Sequence, residues 1–146
     1  MVKIALVDDC ETFSFIVQKQ VNVYNRHAVG QQIELDIFNS PVDFVEFVKD
    51  FDICQYDAII IDIHMPMING FELYNQIRKS CIDVKVFLVS GTIYKYETFK
   101  DYQSIIQKDV FNIRDIIREK ECISRFMNSL EIDLYESDTK VLHIGK

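Results

Sequence analysis

Five polar residues stand where apolar runs stop, and together they suit one kind of chemistry. Val2-Lys-Ile-Ala-Leu-Val7 ends in Asp8-Asp9, and Tyr56-Asp-Ala-Ile-Ile-Ile runs into Asp62. Val84-Lys-Val-Phe-Leu-Val89 ends in Ser90-Gly91, and Ser104-Ile-Ile-Gln107 ends in Lys108. An apolar run of this length reads as a buried strand, and an unpaired charge does nothing for such a core, because burying it costs several kcal/mol. Asp62 therefore either caps the next turn or sits in an open mouth facing something positive. Acids at a second strand end favour the mouth. Two carboxylates about 4 Å apart repel by about 4 kcal/mol at an effective dielectric near 20. Lys108 offsets only part of that repulsion, so the group calls for a divalent cation. Oxygen ligands without a His/Cys cluster favour Mg2+ over zinc. A carboxylate beside Mg2+ and an ammonium group is set up to attack phosphorus and form an aspartyl-phosphate. Phosphoryl transfer then needs mainly positioning and charge neutralisation, which Lys108, the Ser90 hydroxyl and backbone N–H groups after Asp62 would help to supply.

The elements that must hold these residues alternate in type. Phe13, Ile16, Val17, Val21 and Tyr24 recur at helical spacing, predicting a helix from about Glu11 to Tyr24. Ile33-Glu-Leu-Asp-Ile-Phe38 alternates as a strand. Ser40-Pro41-Val-Asp43 opens a helix to about Asp50, with a serine cap and proline in the first turn. Gly70 leads into a helix carrying Leu73, Tyr74 and Ile77. Tyr94 to Tyr102 is read as a short helix whose aromatics serve either the core or a partner, and Asn112 to Leu130 as a long amphipathic one. Five strands alternating with helices imply a parallel sheet covered on both faces, with ligands bound beyond the carboxyl ends of the strands. Asp8, Asp9, Asp62, Ser90 and Lys108 all fall at that end. The second strand ends at Asn39, outside the set, as expected of an edge strand.

Bulk properties bound the class. At 146 residues the chain is the size of one domain, and 49% hydrophobic with 27% charged residues is a globular composition. A net charge of −7 argues against nucleic acid as a partner. No run approaches the ~20 apolar residues of a membrane span. The N-terminus enters a strand directly, without a signal-peptide pattern. Cys10, Cys54, Cys81 and Cys122 are scattered without a CxxC pair, and are read as reduced thiols of a cytoplasmic protein.

These residues resemble the receiver domains of two-component response regulators over roughly residues 2 to 128. The resemblance rests on Asp8-Asp9, the apolar strand ending in Asp62, Met65-Pro66-x-x-Asn69-Gly70, Ser90-Gly91 and Lys108. It implies an α/β, flavodoxin-like, doubly wound sheet of five parallel strands in the order 2-1-3-4-5. It also implies that Asp62 is the phosphoacceptor, Asp9 a direct Mg2+ ligand, Asp8 a ligand largely through water, and the His64 backbone carbonyl the remaining protein ligand. Ser90 would move onto the phosphoryl group and Lys108 would pair with it. The donor would be a histidine kinase or histidine phosphotransfer protein. The chain departs from the family's pattern in three places: Asp109 follows the lysine where Pro is usual, Ile105 stands where an aromatic is usual, and only seventeen residues separate Ser90 from Lys108.

The receiver is expected to span 1–130. Residues 131–146 read as a small hairpin, an arm pairing with a second subunit in a homodimer, or a disordered end, too short for an output domain. The protein is therefore expected to be no enzyme in the ordinary sense, but a stand-alone switch that binds a separate target. Two rival readings remain. One is a degenerate receiver acting as a non-switching binding module, motivated by Ile105 and Asp109. The other is an aspartate-based phosphohydrolase, disfavoured because His64 stands where its second Asp belongs. The side chain of His64 itself is read as a bystander to the chemistry.

Overall fold

The computed structural model describes residues 1–91 and 105–119. Residues Met1–Ile113 form one compact unit that contains the whole sheet, and residues 113–119 are helical. The strands are β1 (Val2–Val7), β2 (Ile33–Phe38), β3 (Ala58–Asp62), β4 (Lys85–Ser90) and β5 (Ile105–Gln107). They pair in parallel in the order β2-β1-β3-β4-β5, the expected flavodoxin-like order. The chain steps outward from β1 to β2, then reverses to continue through β3, β4 and β5. Right-handed crossovers consequently put the first helix, α1 (Glu11–His27), on one face. They put α2 (Pro41–Lys49) and α3 (Gly70–Ser80) on the other.

Side-chain alternation agrees with that placement. Ala5, Val7, Ile59, Ile61 and Leu88 share a buried cluster with Phe44 of α2 and with Leu73 and Ile77 of α3. Every residue of β3 is buried, as a central strand covered on both faces requires. At α2 the Ser40 side chain accepts from the Val42 N–H, and Pro41 occupies the first turn. At α3 the Asn69 side chain accepts from the Glu72 N–H, and its amide donates back to the Glu72 carboxylate at 2.9 Å.

Several boundaries move. α1 runs one turn beyond Tyr24, so part of the polar connection is helix. Two 3-10 turns, Ile53–Gln55 and Lys108–Val110, have no periodicity to announce them. The helix expected over Tyr94 to Tyr102, most of the one to Leu130, and the 131–146 tail lie outside the described residues. No helix among the described residues is long and apolar enough to cross a membrane.

The reading of four reduced cysteines is corrected. Cys54 and Cys81 form a disulfide, with their Cα atoms 5.8 Å apart. Twenty-seven positions separate them in sequence, but the turn before β3 and the end of α3 converge beneath the same part of the sheet. Chain-distant proximity of this kind leaves no trace in cysteine spacing. Cys10 is a free, exposed thiol, and Cys122 lies outside the described residues.

Candidate functional site

β1 and β3 are neighbours, so the residues that follow them share one end of the sheet. Asp8 is fully buried, Asp62 is 3% exposed and Asp9 faces solvent. One carboxylate oxygen from each lies within 4.8 Å of the others. The backbone fixes these carboxylates closely. The Asp8 N–H donates to the Phe38 carbonyl at 3.0 Å, and Asp8 Oδ1 accepts from the Cys10 N–H at 2.8 Å. Asp62 Oδ1 accepts a longer bond, 3.4 Å, from the N–H of His64.

The turn after Asp62 is held from below by Gly70. Its N–H donates to the Ile63 carbonyl at 2.9 Å. A Cβ on Gly70 would lie 2.5 Å from the Asp62 carbonyl oxygen and 2.7 Å from the Ile63 Cα, so only glycine lets α3 start this close to the strand end. Met67, on the exposed rim of the same turn, takes the left-handed conformation with φ 73°.

Lys108 arrives from the end of β5. Its Nζ lies 2.9 Å from Asp8 Oδ2 and 3.5 Å from Asp62 Oδ1. Its ammonium stands 4.9 Å from the centre of the Phe13 ring, a cation–π contact. Periodicity assigns Phe13 to the core alone; this second role shows only once α1 is packed. Burial opposes the ammonium charge, but contact with Asp8 and the charges of Asp8 and Asp62 outweigh it and hold the Lys108 pKa above 10.5.

Among the described residues, one ammonium faces three carboxylates, and the imbalance shows in Asp62. Burial first, and the charge of Asp8 second, push its carboxyl up from 3.8 to about 6, with Lys108 opposing. Asp8 Oδ2 is buried and receives no aligned hydrogen bond, its ion pair with Lys108 notwithstanding. A crowded, part-buried carboxylate set that one ammonium only partly neutralises fits a small oxygen-seeking divalent cation.

Asp8, Asp9, Asp62 and Lys108 are thus brought together. Ser90 ends β4, one residue beyond Val89, the register partner of Asp62, and is fully buried. Gly91 follows it against the Lys108 stem, where a Cβ would come to 3.9 Å from Lys108 Cδ. The His64 side chain is exposed.

The response regulator receiver domain family model matches residues 4–111. No curated protein matches the chain in sequence. Among solved structures, the chain is similar to a response regulator receiver domain protein from Clostridium thermocellum at 16% identity. That likeness covers 90% of this chain and 98% of the other, with a TM-score of 0.62. It is similar to the response regulator TrrA from Thermotoga maritima in complex with Mg(2+)-BeF at 22% identity, covering 82% and 99%, with a TM-score of 0.64. The receiver domain of the histidine kinase CKI1 from Arabidopsis thaliana, complexed with Mg2+ and BeF3-, matches at 19% identity, covering 83% and 90%, with a TM-score of 0.64.

Proposed function

The chain belongs to the response regulator receiver domain family, and on that premise we propose that Asp62 accepts a phosphoryl group from a phosphohistidine donor. The observation that carries this reading is the convergence of Asp8, Asp9 and Asp62 within 4.8 Å, with Lys108 bridging two of them. Receiver domains are signalling switches rather than enzymes with a released product. Here the switch would be set by one bond exchange. An Asp62 oxygen forms the new O–P bond as the N–P bond to the donor imidazole breaks, and the electron pair returns to that nitrogen. Asp62, with its pKa near 6, is mostly ionised at neutral pH and so available for attack.

Asp8, Asp9, Asp62 and the His64 carbonyl would hold Mg2+, which when bound would neutralise charge on the phosphoryl oxygens. Support comes from the two similar proteins whose structures contain Mg2+ and a beryllium fluoride. Lys108 would exchange its Asp8 contact for a phosphoryl oxygen, and the Ser90 hydroxyl would donate to another. The resulting change in surface would be read by a separate protein.

Acetyl phosphate with Mg2+ should add one phosphoryl group to the wild type and none to Asp62→Asn, read by intact mass. Wild-type protein that stays unmodified would remove the phosphoacceptor reading. A second reading has its own observation: Ile105, where the family carries an aromatic, is half-buried and packs on the β3–α3 core cluster. A side chain so placed has no ring to swing inward, which suits a binding module that does not switch. Beryllofluoride that binds without altering the NMR spectrum beyond the site would favour that module.

A further inference from the structure

The lysine loop lacks the proline the family uses to fix it, and the structure holds that loop by another means. Lys108–Val110 is a single 3-10 turn, closed by a long bond from the Phe111 N–H to the Lys108 carbonyl at 3.4 Å. One such bond is a weak restraint. Across from it stands Gln20 of α1, seven residues after Phe13. Seven residues is close to two helical turns, so the two side chains lie on one stripe about 10 Å apart along the axis. Phe13 meets the Lys108 ammonium and packs edge-on against Phe111, with centroids 5.4 Å apart. Gln20 meets the backbone just beyond. Its Nε2 donates to the Phe111 carbonyl at 3.0 Å, and its Oε1 accepts from the Ile113 N–H at 2.8 Å. Both ends of one carboxamide are thereby satisfied by a stretch of chain ninety-odd residues away. Phe111 and Ile113 are buried residues, so a backbone group released by Gln20 would lose a partner in a largely enclosed place.

We infer that Gln20 is a positioning residue for Lys108, clamping the backbone at Phe111 and Ile113 so that the ammonium stays over Asp8 and Asp62. The inference rests on the phosphoacceptor reading only for what Lys108 does next. The clamp also gives that movement a direction. A lysine that leaves Asp8 for a phosphoryl oxygen pulls on a turn whose far end is tied to α1, so the displacement reaches the middle of that helix without an aromatic at Ile105.

The test is a double-mutant cycle with Mg2+ alone, and with beryllofluoride at saturating Mg2+, on the full chain. Gln20→Leu removes both hydrogen bonds at similar volume, and Gln20→Met is the second variant because its unbranched stem keeps the helix propensity. Losing one or two bonds of this kind should weaken beryllofluoride binding by about fivefold to thirtyfold. Mg2+ alone should bind more tightly, by a few-fold, because a loosened Lys108 no longer competes for Asp8. A merely structural defect would weaken Mg2+ binding too, so the opposite signs separate the two. In a Lys108→Ala background both effects should vanish. Unchanged affinities in the folded variants, or equal losses with and without Lys108, would overturn the clamp. A wild type that ignores beryllofluoride while Gln20→Leu still tightens Mg2+ would instead overturn the phosphoacceptor reading and leave the clamp standing.

Discussion

Replacing Asp62 by Asn should make the metal-free protein more stable, which inverts the usual effect of altering a buried residue. The carboxyl is raised from 3.8 to about 6, chiefly by burial and then by Asp8. Between those values the folded chain keeps a proton that the unfolded chain has lost. Stability therefore falls as pH rises through that window, and the whole cost is present above about pH 6. At 1.36 kcal/mol per pH unit the gap corresponds to about 3 kcal/mol. Asp9 opens the site to water, and screening there reduces the figure to roughly 1–3 kcal/mol. Asn has the shape of the neutral acid and escapes that cost. Urea denaturation followed by circular dichroism in EDTA at about pH 7.5 should show Asp62→Asn more stable by this amount. The difference should shrink towards zero at about pH 4, where both proteins are uncharged at position 62. Saturating Mg2+ should reverse the order, because the wild type gains RT ln(1 + [Mg2+]/Kd) and the variant has lost an anionic ligand. An Asn variant that is less stable in EDTA, or a gain independent of pH, would refute the argument that Asp62 is held in an unfavourable charged state.

Two further expectations follow from contacts outside the carboxylates. Gly70→Ala would set a methyl 2.5 Å from the Asp62 carbonyl, so α3 or the strand end must shift; a loss of about 1–3 kcal/mol and weaker Mg2+ binding should appear in denaturation and in calorimetry. Unchanged Mg2+ affinity would show that α3 does not set the Asp62 turn. The Cys54–Cys81 bridge closes a loop containing all of β3, Asp62 and α3, and a loop of this length should contribute about 3–4 kcal/mol. Reductant and Cys54→Ser should lower the urea midpoint alike, with the variant indifferent to reductant; a midpoint insensitive to both would mean that the bridge does not constrain the unfolded chain.

How far the sequence could be read depended on whether a feature was local. A parallel sheet covered on both faces follows from alternating periodicity, its order β2-β1-β3-β4-β5 is what the family resemblance implies, and Ser40 as a cap follows from a short-range rule. The site was legible because every one of its polar residues ends a strand, and parallel strands gather their ends together. Gln20 obeys no such rule. In sequence it is a polar interruption on the buried stripe of α1, and its partners are the backbone groups of Phe111 and Ile113, which have no side-chain signature. The Cys54–Cys81 pair was misread for the same reason, since only the packed chain brings the two together.

That distinction bears on the three departures from the family's pattern. Asp109 and Ile105 look like losses when each position is compared with its usual occupant. In the folded chain the neighbourhood of Lys108 is still determined, but from α1 rather than from within its own loop. The Phe13 ring lies beneath the ammonium, Phe111 lies against that ring, and Gln20 ties down the backbone beyond. A proline restricts a loop by removing conformations it could otherwise visit. A side-chain clamp restricts it by bonds that can lengthen, and through which motion can be passed on. Phosphorylation of Asp62, as proposed, would need Lys108 only to be within reach, which either device provides. A signal leaving Asp62 would need a linkage that moves, and in this chain the Gln20 clamp would supply one that does not depend on an aromatic at position 105.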